Sequence, residues 1–502
     1  MQILVTGGSG VVGVGTVTEL LRRGHQVRLL ARHADEDARQ WTSGVTPVIG
    51  DVADAASIAG AADGCDAVLH VAGIVEESPP KATFARVNVN GTRNVCAEAE
   101  RAGVDRLVYV SSLGAPSGGS DYHRSKREAE RIVERFRGNW TICRPGNVYG
   151  PGDGQISVML RLVRGVTSIV PTVGSGTQSF QPIWWEDLAK ALATVVERNN
   201  LAGDSLDIAG TETTCQNDLH ERMSRITGRD VVSVPVPEMF ATLGAKAISM
   251  VGWKIPFNDA EQQMLKEGNV IQEGGANALV ETLRIVPTPL EVGLRRLAEE
   301  QPEQLPAEGI GTLKRKRYWA DIVGGAHSPE SLFELFRTHF DEVTPVFVDV
   351  KAEPRSTGVL DEGEAVTLAL PMRGHVQVRC ASVEPRRATL LTLEGHPLAG
   401  AVRFVSEPRG TAVRFQVEVY DRPANAIDFL AMRSVGDRLQ DHTWSHVVDR
   451  MVQISGGSAP AGVEHETASL DEGEAKAIEQ WVEELALKRK RAENEERVME
   501  GR

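Results

Sequence analysis

Ile3-Leu4-Val5-Thr6-Gly7-Gly8-Ser9-Gly10-Val11-Val12-Gly13 decides the fold of the first half of the chain. Ile3 to Thr6 is a short apolar run with β-branched members and reads as a buried strand. Gly7 and Gly10 permit a tight turn with close backbone approach, and Gly13 lets a helix pack closely on the sheet. Val14 to Arg23 continues as that helix, with Val17, Leu20 and Leu21 on one side and Gly24 at its end. Free N–H groups and the positive dipole end at the helix start favour a pyrophosphate.

The second strand spans Gln26 to Ala31. An acid about 20 residues past such a loop would hold ribose hydroxyls. Here Ala31 is followed by Arg32 and His33. An arginine with no acid favours a 2′-phosphate, hence NADP, with NAD as the alternative.

A third apolar strand, Arg106 to Val110, runs into Ser111 and Ser112. A helix from Tyr122 to Arg135 follows, and at spacing i, i+4 it puts Tyr122 and Lys126 on one face. A phenol with a pKa of about 10 is a poor acid or base at neutral pH. A neighbouring ammonium and a cationic nicotinamide ring would bring it nearer the working range. Ser112 is placed to hold a carbonyl or hydroxyl oxygen, and Lys126 to hold the nicotinamide ribose as well.

These pieces, with Gly50-Asp51-Val52, His70-Val-Ala-Gly73, Asn88-Val-Asn-Gly-Thr92, Tyr109-Val-Ser-Ser112 and Arg144-Pro-Gly-Asn-Val-Tyr-Gly150, carry a resemblance. Residues 1 to about 290 resemble the short-chain dehydrogenase/reductase superfamily, of the extended or atypical kind. The resemblance implies a catalytic set of Ser112, Tyr122 and Lys126. It implies a dinucleotide loop at Gly7, Ser9, Gly10, Val11, Val12 and Gly13. Asp51 and Val52 would contact adenine, and Ala72 and Gly73 would lie beside the cofactor ribose. Asn88 would be the structural asparagine, and Pro145, Asn147 and Val148 would close over the nicotinamide. His70-Val-Ala-Gly73 and Leu113-Gly114-Ala115 depart from the sugar-nucleotide epimerases. With Ile255-Pro-Phe-Asn258, Gln262, Met264 and Leu265, they look more like the branch of the complex I accessory subunit, some of whose members bind NADPH as a structural ligand.

At 502 residues the chain has room for two or three domains. A net charge of −14 argues against nucleic acid as a partner. No uninterrupted apolar run is long enough to span a bilayer, and Met1 leads straight into a core strand with no room for a signal peptide. Phe240 to Val251 is apolar but short, so peripheral membrane contact stays open. Five scattered cysteines without a CxxC, and histidines without ligand spacing, point to a cytoplasmic protein with no metal site. Oligomeric state is not legible.

Alternating strands and helices to about residue 210 mean a Rossmann-type, doubly wound parallel sheet, an α/β domain placed at 1–300. A Pro/Glu-rich linker is placed at 301–316. Beyond it, strands are expected at Val343–Val350, Glu364–Leu370, Gly374–Val383, Arg387–Leu393, Gly400–Ser406 and Thr411–Tyr420, with helices at Pro329–Phe340 and Ala426–Ser455. An antiparallel sheet with a long helix over it resembles the helix-grip fold of the START and polyketide-cyclase (SRPBCC) superfamily. That implies an α+β domain at 317–457 holding an apolar ligand. Residues 458–502 read as a charged tail, solvated or frayed, with a helical stretch at Ala475–Leu487.

The expected function is an NADP(H)-dependent oxidoreductase acting on a carbonyl or hydroxyl of a hydrophobic small molecule. Two alternatives stand beside it: a non-catalytic NADPH-binding scaffold or sensor with a lipid- or quinone-binding domain, and a nucleotide-sugar epimerase/dehydratase.

Overall fold

The computed structural model describes residues 1–236, 267, 269–431 and 436–500. The apolar stretch Phe240–Val251 and the branch-resembling residues 255–265 lie outside the described residues.

The first half runs β1 (Gln2–Thr6), α1 (Val11–Arg22), β2 (Gln26–Ala31), α2 (Ala34–Ala38), β3 (Val45–Ile49) and β4 (Ala67–His70). It continues α3 (Gly91–Arg101), β5 (Arg106–Val110), α4 (Asp121–Val133), β6 (Asn139–Pro145), β7 (Asn147–Tyr149) and α5 (Ile156–Arg164). Then come β8 (Ile169–Val173), β9 (Pro182–Trp184), α6 (Trp185–Glu197), β10 (Asp204–Ile208), α7 (Gln216–Thr227), β11 (Val232–Val236) and α8 (Leu290–Glu299).

Seven strands make one parallel sheet in the order β10-β6-β5-β4-β1-β2-β3. Its strands are apolar on both faces because helices cover both. Ile3, Val5, Leu29, Leu69 and Val108 meet Val17 and Leu20 of α1 and Leu188 and Leu192 of α6. Leu4, Leu30, Val68, Leu107 and Tyr109 meet Val95 of α3 and Ala129 and Val133 of α4. The strand order reverses direction between β1 and β4, and a doubly wound sheet opens its ligand crevice at that point, beyond the strands' carboxyl ends.

The second half is a separate antiparallel sheet of β12 (Lys314–Ile322), β13 (Ala365–Leu370), β14 (Gly374–Glu384), β15 (Arg387–Thr392), β16 (Leu398–Arg409), β17 (Ala412–Pro423) and β18 (Glu464–Ser469). Its order is β13-β14-β15-β16-β17-β12-β18. Helices α9 (Pro329–Thr338) and α10 (Asp437–Ile454) cover one face. The interior between them is filled by aromatic rings: Phe336 lies 4.6 Å from Phe404 and 5.1 Å from Phe415, centroid to centroid.

Two segments differ from the sequence expectation. Val343–Val350 is not a strand but the end of a short helical turn followed by irregular chain. Pro345 has no N–H to give a ladder, and only Asp349 bridges to a strand. Residues 458–500 are not a frayed tail: Glu464–Ser469 pairs with β12, and α11 (Glu472–Met499) packs on both halves. Its charges hid it, because it buries little beyond Val482, Ala486 and Asn494.

The halves are joined by buried ion pairs. Arg164 on α5 donates to both carboxylate oxygens of Glu353 at 2.7 and 2.8 Å and to Gln377 at 2.7 Å. Glu303 takes Arg379 and Arg489 of α11, each at 2.7 Å. Among the described residues no helix is long and apolar enough to cross a membrane.

Candidate active site

The glycine loop lies at the switch between β1 and β4. Gly7 has φ +70, and a Cβ there would stand 2.7 Å from the Ala72 backbone. A Cβ at Gly13 would stand 2.2 Å from the Gly7 carbonyl. Gly10 caps α1 and gives it no side-chain acceptor, and a Cβ on it would meet little. The loop is thus a backbone cradle with an uncapped helix start, a donor set suited to a pyrophosphate. Ser9, Val11 and Val12 complete it.

At the edge of this crevice Arg32 is exposed just beyond β2. Asp37 of α2 reaches back to the Ser9 hydroxyl, and burial pushes its carboxyl above the usual range. Asp51 turns one carboxylate oxygen onto the Ala53 N–H at 2.9 Å, while Val52 is buried and its carbonyl accepts from Asn94 at 2.8 Å. These are loop-shaping contacts at the place expected for adenine.

Across the switch point stands α4. Ser120 caps it by accepting from the His123 N–H at 3.2 Å. Tyr122 is in the first turn and Lys126 one turn on. Part of the Tyr122 side chain reaches the surface, yet enough protein surrounds its hydroxyl for burial to push the phenol up to about 12, opposed by a hydrogen bond with Ser112. With the protein's own groups alone the phenol moves away from neutrality, and Ser112, rather than Lys126, supplies the opposing pull. Lys126 is buried and donates to the Val110 carbonyl at 3.0 Å. Burial lowers it to about 8, against the pull of Glu130.

Asn88, on a π-helical turn spanning Ala85–Asn90, ties the two sides together. Its amide donates to the Ile74 carbonyl and to Ser125, each at 3.0 Å, and accepts from the Ile74 N–H at 2.8 Å. Ser125 in turn donates to the Tyr122 carbonyl at 2.7 Å. Gly73 lies where a Cβ would come within 3.0 Å of the Lys126 ammonium. Pro145 accepts from the Leu113 N–H at 2.9 Å, which sets β6 beside the chain that follows Ser112. Asn147 is held by Gln155 at 3.0 Å and Asn269 at 2.8 Å, and Val148 packs between the core clusters.

Three groups escaped the sequence reading. Glu130, four residues beyond Lys126, takes a two-pronged contact from Arg144 at 2.9 and 2.8 Å and the Ser111 hydroxyl at 2.5 Å. Its spacing from Lys126 was the signal that could have found it. Glu267 binds the His123 ring, the Gly119 N–H at 2.9 Å and the Ser120 hydroxyl at 3.1 Å. It lies 144 residues from His123, with no local pattern to betray it. His70 bridges the hydroxyls of Thr6 at 2.7 Å and Thr92 at 3.0 Å, and burial drives it down to about 3, so it is a neutral brace. Among the described residues no group of three or more His, Cys, Asp or Glu could hold a metal ion.

Residues 3–209 match the model of the NAD dependent epimerase/dehydratase family. The chain is 35% identical over 184 residues to sterol demethylase protein B of Methylococcus capsulatus, covering 32% of this chain and 56% of that protein. It is 35% identical over 188 residues to a 3 beta-hydroxysteroid dehydrogenase/Delta 5→4-isomerase of Mycobacterium tuberculosis, covering 30% and 48%. It is 33% identical over 191 residues to ceramide reductase of Caulobacter vibrioides, covering 38% and 59%. The chain thus spans about half the length of the curated relatives it matches. The NAD dependent epimerase/dehydratase family is therefore the one that residues 3–209 match, and the match ends before the antiparallel sheet begins.

Proposed function

We propose that the protein is an NADP(H)-dependent oxidoreductase that reduces a carbonyl, or oxidises a hydroxyl, on a hydrophobic small molecule. The observation that carries this reading is the placement of Tyr122 and Lys126 one turn apart on α4, with Lys126 held 3.0 Å from the Val110 carbonyl two residues before Ser112, across the switch point from a glycine cradle for the dinucleotide. The nicotinamide supplies or accepts the hydride. In reduction Ser112 holds the substrate oxygen, the Tyr122 hydroxyl gives that oxygen its proton, and the Lys126 ammonium favours the phenolate left behind. The phenolate then regains a proton from solvent. Arg32 is the group for a 2′-phosphate, and Asp51, Val52, Ala72 and Gly73 line the adenosine side. The substrate class rests on relatives named for sterol, steroid and ceramide chemistry.

The second half we read as helix-grip-like. Its phenylalanine-filled interior favours a docking role over that of a ligand carrier.

The test is fluorescence titration of NADPH and NADH on wild type and Arg32→Ala, followed by a panel of hydrophobic ketones. NADPH binding that weakens at least 10-fold in the variant while NADH binding does not, together with turnover of a ketone, is the expected result. Equal binding of both cofactors removes Arg32 from its role. Binding without turnover of any carbonyl or alcohol favours a scaffold, and a nucleotide sugar co-purifying with the protein favours an epimerase.

A further inference from the structure

Helix α11 belongs by sequence to the end of the chain, but it lies against the cofactor half. At 28 residues it is about 42 Å long, enough to span both domains. One end is fixed to the antiparallel sheet: Val482 and Ala486 pack on Leu391 and Ala401, and Trp481 stands 5.8 Å from the Tyr420 ring. The other end runs along α1. There the Asn494 amide is buried between two elements, accepting from Thr18 of α1 at 3.3 Å and donating to the Gln40 carbonyl at 3.0 Å. The Thr18 hydroxyl also accepts from the Trp41 indole at 3.0 Å. Arg491 donates to the Arg39 carbonyl at 2.7 Å.

Residues 39 and 40 thus take support from α11 on consecutive backbone carbonyls. They close the segment that starts at Arg32. Gln40 donates back to the Asp37 carbonyl at 3.0 Å, and Asp37 reaches the Ser9 hydroxyl in the glycine loop. Neighbouring contacts therefore lead from α11 through Gln40 and Asp37 toward the phosphate cradle. Ser9, Asp37, Gln40 and Asn494 all line one cleft of about 1560 Å³ between the two halves, which reaches the glycine loop but not Tyr122.

We propose that α11 is a positioning element for the dinucleotide. Through Asn494 and Arg491 it holds residues 37–41 in the form that receives the adenosine phosphate end, so cofactor affinity depends on docking of the antiparallel sheet. This rests on the dinucleotide reading of the glycine loop. It assigns the second half a part in cofactor binding and leaves the chemistry at Tyr122 untouched.

The experiment compares full-length wild type, Asn494→Ala/Arg491→Ala, and Lys488→Ala as an exposed control on the same helix. The double variant is expected to raise the Kd and KM for NADPH at least 10-fold while kcat at saturating cofactor stays within 2-fold, with the control unchanged. An unchanged Kd in a folded double variant overturns the proposal, as does a loss of kcat with unchanged KM. Should the double variant not fold, hydrogen–deuterium exchange on wild type decides. NADPH is expected to slow exchange in residues 486–499 as well as in 34–41, and slowing at 34–41 alone overturns the coupling. If wild type binds neither NADPH nor NADH, the functional reading itself falls and the coupling with it.

Discussion

Lys126 lies one helical turn beyond Tyr122 on α4, and its ammonium is held 3.0 Å from the carbonyl of Val110, two residues before Ser112. One hydrogen bond thereby fixes the helix bearing the phenol against the strand bearing the serine. Tyr122 and Ser112, the proposed proton donor and oxygen-orienting group, keep their spacing because a buried cation pins their two supports.

Tyr122→Phe removes only the phenolic oxygen and keeps the ring against Phe84 and His123. Loss of a general acid of this kind costs about 10²- to 10⁴-fold in kcat. We expect that loss in carbonyl reduction, with NADPH affinity and thermal stability unchanged. Parallel titration and steady-state assays check it. A variant retaining full turnover would remove Tyr122 from the chemistry.

The lowered pKa of Lys126, about 8, sets opposite expectations for activity and stability above that pH. If the reaction needs the ammonium, kcat/KM falls as pH rises through about 8. The stability sign is the reverse. The folded group releases its proton at about 8 and the unfolded one near 10.5, so the unfolded state binds more protons in that window and stability contributed by this site rises with pH. Wild type is expected to gain stability relative to Lys126→Met between pH 8 and 10.5 while its turnover declines. A flat stability difference across that range would show that the folded lysine is not shifted.

His70 gives a second linkage with its own window. Its folded pKa is lowered to about 3 from 6.5, so the unfolded state binds more protons below 6.5 and stability is lost as pH falls toward 3. Each pH unit well inside that window removes up to about 1.4 kcal/mol. His70→Leu leaves the Thr6 and Thr92 hydroxyls without this partner and costs about 2–4 kcal/mol at pH 7. The gap between wild type and variant in urea unfolding should narrow as pH drops from 6.5, and a constant gap contradicts the buried neutral imidazole.

Arg164 and Glu353 are both buried, and they join α5 to the second domain. Burial alone would raise the Glu353 carboxyl, but Arg164 and His375 outweigh it and hold it below the usual range. Arg164→Leu strands that carboxylate and should cost about 3–5 kcal/mol. Arg164→Leu/Glu353→Leu should recover most of the loss. Additive losses in the double-mutant cycle would mean that the two residues act independently.

Where a signal was local, it could be read from sequence. The glycines of the loop, the i, i+4 pair on α4 and each apolar strand of the parallel sheet are carried by residues a few positions apart. Strand β12 was obscured because an inward position carries Lys316, which is buried against Asp437 at 2.9 Å and Asp421 at 3.7 Å and so breaks the apolar alternation. Val343–Val350 misled the other way. Val348 and Val350 are buried two residues apart, as in a strand, without a neighbouring strand to pair along their length. The Glu267 contact with His123 and the Asn494 contact with Thr18 join residues far apart in the chain, and no periodicity carries such pairings.

The antiparallel sheet places its first-made strand, β12, between its two last-made, β17 and β18. During synthesis β12 therefore waits with both edges open while about a hundred residues are added, and its outer edge is covered only when residues 464–469 arrive. The parallel sheet closes with β10, long before that. The emerging polypeptide thus carries a completed parallel sheet ahead of an unfinished antiparallel one, and α11 seats after both. A ribosome stalled near residue 460 would hold the β12 edge open to neighbouring chains, an edge that β18 covers once residues 464–469 arrive.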